Sequence, residues 1–153
     1  MQTRVIGQSK AQASSQFSKK LLMLAAAGGA AFWITDFVMA VSPISSAYKA
    51  AFSIFSLPVA LVEALAGGLV IAFGVSFFLI RFYNRLPGKN PILKALILSF
   101  GAMVIIEVLS TLVDPSHASV YLLIDTGMNL PRFLALGIVV GLLYDKPNGG
   151  TRS

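Results

Sequence analysis

Asp36, Glu63, Glu107 and Asp125 each lie inside a different long apolar run. The chain has only six acidic residues. The other two, Asp114 and Asp145, fall where apolar runs end. A carboxylate surrounded by hydrocarbon is costly to ionise. Three kinds of chemistry are open to it: taking up and releasing a proton, binding a cation, or pairing with a buried base. At 1.5 Å of rise per residue, each of the four lies roughly 8–9 Å below one edge of a ~30 Å hydrocarbon layer.

Their spacing places them on defined helix faces. Asp125, Asn129 and Arg132 follow at i, i+4 and i+7 and share one stripe. Pro131, beside them, deprives one backbone carbonyl of its usual partner. Asp36 shares a face with Phe32, Gly29 and Ala25. Glu63 shares one with Gly67 and Gly74, and Glu107 with Met103 and Thr111. Acids on glycine-lined faces are expected to point into a bundle, where backbones approach closely. Four carboxylates against one internal cation, Arg132, leave about −3 of charge if all ionise, which is expensive away from water. Some must be protonated, hold a cation, meet a partner's basic residue or reach water. The expected transport or ion-binding site is therefore Asp36, Glu63, Glu107 and Asp125, tuned by Asn129 and Arg132. A structural reading competes with it. Acids near helix ends can form interhelical hydrogen bonds, and Arg132 can simply bridge to Asp125 or Glu107.

Other chemistry is poorly supported. The sequence has no cysteine, so disulfides, thiolate metal sites and cysteine nucleophiles are ruled out. Its one histidine, His117, cannot make a histidine-pair metal site within one chain and reads as a solvated loop residue. No phosphate-binding loop, zinc-protease motif or nucleophile elbow is present. No metal and no cofactor is expected, and an enzyme reading is unsupported.

The elements that position these residues follow from composition. Hydrophobic residues make up 56% and charged residues 12% of 153, and the mean hydropathy is +0.80. Soluble domains carry about a quarter charged residues, so lipid is the expected solvent and the bilayer the first partner. The net charge of +6 does not point to nucleic acid. Ten of the twelve Lys and Arg lie in three short polar segments beside apolar runs, which is a topology signal.

The expected fold is all-α: an integral membrane four-helix bundle made of two helical hairpins. A polar cytoplasmic tail, 1–20, precedes a transmembrane domain, 21–145. Its helices fall at about 21–41, 57–81, 92–113 and 120–144, and 146–153 is expected to be a disordered tail. A cleaved signal or a transit peptide competes for the N-terminal region, but the first run is long and contains Asp36. Pro58 suits a first helical turn, and Asn90-Pro91 is an N-cap and first-turn pair. The segment 50–56 is expected at the outer interface. Arg4, Lys10, Lys19 and Lys20, then Arg81, Arg85, Lys89 and Lys94, then Lys146 and Arg152, put both termini and the 84–91 loop on the cytoplasmic side. The expected location is the plasma membrane of a prokaryote.

A faint repeat runs through the chain. Lys20, Asp36, Pro43, Glu63 and Tyr83 correspond to Lys94, Glu107, Pro115, Asp125 and Tyr144. The acid-to-tyrosine spacings, 20 and 19, agree, while the proline-to-acid spacings, 20 and 10, do not. Gly137 and Gly141 form a GxxxG pair, and Gly29, Gly67 and Gly74 are further packing candidates. GxxxG serves internal packing or a homo-oligomer equally well. The leading functional expectation is proton- or cation-linked transport or conduction. The alternative is a non-catalytic subunit or scaffold whose acids pair with a membrane-protein partner.

Overall fold

The computed structural model describes residues 2–43, 45 and 56–145. Helix α1 spans Gln2–Ala40, α2 Leu57–Phe82 and α3 Pro91–Val113. The fourth rod is assembled from a short α4, Ala118–Val120, a π-helical turn, Tyr121–Asp125, and α5, Thr126–Tyr144. Among the described residues, four stretches are long and apolar enough to cross a membrane: Ser14–Ala40, Leu57–Arg85, Pro91–Val113 and Leu122–Tyr144. The chain is an all-α, four-helix, multi-pass membrane protein.

The helix boundaries have local causes. Pro58 sits in the first turn of α2, where a missing N–H costs nothing. Asn90 caps α3: its side chain accepts a hydrogen bond from the Leu93 N–H at 2.7 Å, with Pro91 next in line. Gly88 makes the preceding turn at φ +110°, a conformation that side chains with a Cβ rarely adopt.

The polar N-terminal segment is helical: α1 begins at Gln2 and runs for 39 residues, about 58 Å at 1.5 Å each. Residues 2–20 contain no proline, and their four Gln and three Lys are good helix formers that let the helix run on past the membrane span. The segment 50–55, Tyr48, Lys49, the tail 146–153 and the side chain of His117 lie outside the described residues.

The helices form a ring. α1 packs on α2 and on α5, α3 packs on α5, and α2 meets α3 along a thinner seam. That seam holds an apolar groove of about 420 Å³, into which Gly74 and Gly101 offer no side chain. The core lies within the ring, where Phe32, Ala72, Val75, Leu79, Ala95, Met103, Phe133, Leu136 and Val140 form one buried cluster. Phe32 and Phe133 meet edge to face with centroids 5.4 Å apart, joining α1 to α5.

Small residues set the close approaches. A Cβ on Gly28 would lie 2.7 Å from Val140, one on Gly29 2.6 Å from Leu69, and one on Gly137 2.8 Å from Leu96. Gly137 and Gly141 both face α3, so the GxxxG pair serves the interior of this bundle. Gly67 and Gly74 do not serve as packing glycines here, since a Cβ on either would meet nothing. The glycine of α2 that packs is Gly68, where a Cβ would lie 2.8 Å from the Phe32 ring. A glycine doublet leaves the buried face ambiguous by one residue, or ~100° of helix rotation.

Two residue pairs that the repeat matches meet at one end of the bundle. Tyr83 and Tyr144 stack with centroids 4.6 Å apart and planes 9° from parallel. Lys20 of the first half lies 3.7 Å from the Tyr144 ring of the second, and Lys94 of the second lies 3.8 Å from the Tyr83 ring of the first. Each lysine thus covers the other half's tyrosine, a cation–π sandwich tying all four rods at one end. Lys94 is buried and also donates to the Tyr83 carbonyl at 2.7 Å, satisfying an acceptor just beyond the end of α2.

Candidate functional site: a buried carboxylate–arginine chain

Near the opposite end of the bundle, polar side chains from three rods join in one line. α1 supplies Asp36 from the stripe that also buries Ala25, Gly29 and Phe32. α5 supplies Asn129 and Arg132, three residues apart on its buried face. α3 supplies Glu107 from the stripe that buries Met103. Arg132 Nη2 forms a salt bridge with Asp36 Oδ1, and Arg132 Nη1 donates to Asn129 Oδ1 at 2.9 Å. Asn129 Nδ2 then donates to Glu107 Oε1 at 2.8 Å.

The order Asp36–Arg132–Asn129–Glu107 crosses the bundle from α1 through α5 to α3. It requires the planar fork of arginine, because two separate guanidinium nitrogens are used at once. It also requires an amide at 129, which accepts from the arginine and donates to the carboxylate. All four residues are buried. Arg132 and Asp36 balance each other in charge, so an ionised Glu107 is the excess charge of the chain. Asp125, half-buried at the end of the π turn, adds like charge near Glu107.

The second oxygen of Glu107 lies outside this line of contacts. Oε2 is buried and has no hydrogen-bond partner among the described residues. Buried carboxylate oxygens are normally satisfied, so this one has the chemistry to take a proton or accept from a donor. Glu107 also lines a cleft of about 390 Å³ between α3 and the start of the fourth rod, with Thr111 and Thr126 as its other polar residues. The Thr111 hydroxyl donates to the Glu107 backbone carbonyl at 2.9 Å and so remains able to accept.

The sequence-predicted set is thus divided. Asp36, Glu107, Asn129 and Arg132 come together, with Asp125 beside them. Glu63 does not face inward: it is exposed on the outer side of α2, apart from the chain. The reason is the register of α2, whose buried residues are Gly68, Ala72, Val75, Ser76 and Leu79. That stripe leaves Glu63, Gly67 and Gly74 off the packed face. Arg132 has Asp36 as its salt-bridge partner, a pairing across α1 and α5 that helix-face reasoning did not select. Trp33, near Asp36, is a packing residue whose Nε1 donates to the Leu61 carbonyl at 2.9 Å.

Sequence reasoning missed two residues. The hydroxyls of Ser76 and Ser99 are fully buried and have no hydrogen-bond partner among the described residues. Their only signal was a small polar residue within an apolar run. Among the described residues, no cluster of three or more histidines and acids could hold a metal ion. Compared with known family models, curated proteins and solved structures, the chain matches none.

Proposed function

We propose that this protein moves protons, or a small cation in exchange for protons, across the plasma membrane of a prokaryote, with Glu107 as the group that loads and unloads. The supporting observation is the asymmetry of the Glu107 carboxylate. One oxygen is fixed by Asn129, and the other is buried without a hydrogen-bond partner among the described residues. The Asp36–Arg132 pair is already neutral, so it holds the chain in place without needing a proton. Glu107 carries the charge that burial and Asp125 make costly, so it is the member that gains most from a proton or a cation. Between this layer and the lysine–tyrosine sandwich lies an apolar core whose Ser76 and Ser99 hydroxyls offer polar steps through it.

The experiment is proton or cation flux into proteoliposomes. Glu107→Gln keeps the size and the hydrogen bond from Asn129 but removes the ionisable group. It is expected to stop flux while leaving the protein folded. Unchanged flux in this variant, or no pH- or cation-dependent flux in the wild type, would remove the proposal.

The exposed position of Glu63 favours a second reading, in which the protein is a non-catalytic subunit or scaffold. An acid on the outer surface of a membrane helix is a natural mate for a partner's basic residue. Under that reading, Glu63→Gln releases a co-purifying membrane protein.

The proposed topology has both termini and the 84–91 loop in the cytoplasm. The sequence has no cysteine, so single cysteines placed at Ser9, Lys89 and Ser116 report without background. Only Ser116→Cys is expected to label from outside intact cells, and labelling at Lys89→Cys would reverse the orientation.

A further inference from the structure

The cleft beside Glu107 has features that a proton path alone does not require. Its walls are largely apolar and include Val104, Val108 and Leu122, all exposed on the outer surface of the bundle. It therefore opens sideways, toward lipid. At its lining lies Glu107, more than nine-tenths buried, with Oε2 lacking a hydrogen-bond partner among the described residues. The volume of about 390 Å³ falls within the range of small-molecule sites, ~300–1,000 Å³.

We propose that this cleft binds a lipophilic ammonium ion, which enters sideways from the bilayer and donates an N–H to the Glu107 carboxylate. The proposal deepens the transport reading, on which it rests, by naming its substrate class.

The chemistry selects this class over others. An anion would meet the fields of Glu107 and Asp125. A bare divalent cation of the calcium kind needs about six or more oxygens, whereas the cleft offers one carboxylate and the hydroxyls of Thr111 and Thr126. A neutral apolar molecule would fill the walls and leave the buried carboxylate unanswered. An amine with a compact hydrocarbon body answers both: the body covers Val104, Val108 and Leu122, and the ammonium group supplies the missing donor and the counter-charge. The Asn129 bond to Oε1 holds the carboxylate at the cleft wall, and the buried Oε2 must turn toward the cleft to receive the ligand.

The test uses the full chain in nanodiscs and two probes of one shape, adamantan-1-amine and adamantan-1-ol. Equilibrium dialysis measures binding, with empty nanodiscs giving the lipid partition. The wild type is expected to bind the amine saturably, one per chain, and at least tenfold more tightly than the alcohol. Glu107→Gln should bring the amine down to the level of the alcohol. Val104→Trp, which fills the cleft from an exposed position, should abolish binding of both. Val70→Trp, on the exposed face of α2, should leave binding unchanged. Equal binding of amine and alcohol, retention of tight amine binding in Glu107→Gln, or indifference to Val104→Trp would each overturn the proposal. If Glu107→Gln does not fold, the wild-type comparison and Val104→Trp still decide. Glu107-dependent proton flux without amine binding would sink the ligand and leave the transport reading standing. Amine binding without flux would sink transport and leave the site.

Discussion

Arg132→Gln is expected to destabilise the bundle by about 3–5 kcal/mol, the cost of leaving a buried charge without its partner. The substitution strands Asp36, which is buried on α1 with Arg132 as its salt-bridge partner. It also withdraws the donor that orients Asn129 toward Glu107. Arg132→Lys should recover only part of the loss, because one ammonium cannot reproduce two parallel contacts made by separate guanidinium nitrogens. Adding Asp36→Asn to Arg132→Gln should restore most of the stability, since no buried charge is then left unpaired. Unfolding of the purified protein in mixed micelles measures this, and the double-mutant cycle isolates the pair. Equal stability of Arg132→Gln and wild type would mean that the pair does not hold α1 to α5.

Gly141→Ala is the other large effect, expected to cost about 3 kcal/mol, near the upper end for overpacking. The added Cβ would run into the backbone of Ile92, at its Cα and its nitrogen, with the Pro91 carbonyl beside them. Backbone cannot move aside as a flexible side chain can, so α3 and α5 must separate at this end. The Tyr83–Tyr144 stack and its two lysines lie at the same end and should loosen with it. Gly67→Ala and Gly74→Ala are the controls: both positions face open space, and the substitutions should be neutral or slightly stabilising because alanine is the better helix former. A thermal melt of the three variants in one detergent separates these outcomes. A Gly141→Ala melt indistinguishable from Gly67→Ala would refute the close α3–α5 approach.

The sequence by itself determined the solvent, the number of spans and most of their ends. Lipid demands long apolar runs with internally satisfied backbones, so the runs ending at Ala40, starting at Leu57 and capped at Asn90 could be read directly. It also singled out the polar residues that meet in the bundle, because ionisable groups are rare inside a membrane segment. On α1 it put Asp36 on the stripe of Ala25, Gly29 and Phe32, and on α5 it put Arg132 on the stripe of Asn129, and both stripes are buried. The tertiary structure decided the rest. Which face of α2 packs inward was not legible, and Glu63 went outward as a result. The physical reason is that lipid tails are as apolar as a protein core. A membrane helix is hydrophobic on all sides, and the contrast that reveals the buried face of a soluble helix is lost. The partners of the charges were hidden for a related cause. Helix periodicity fixes neighbours within one rod, whereas Asp36–Arg132 and Asn129–Glu107 are contacts between rods, set by which helices stand side by side in the ring.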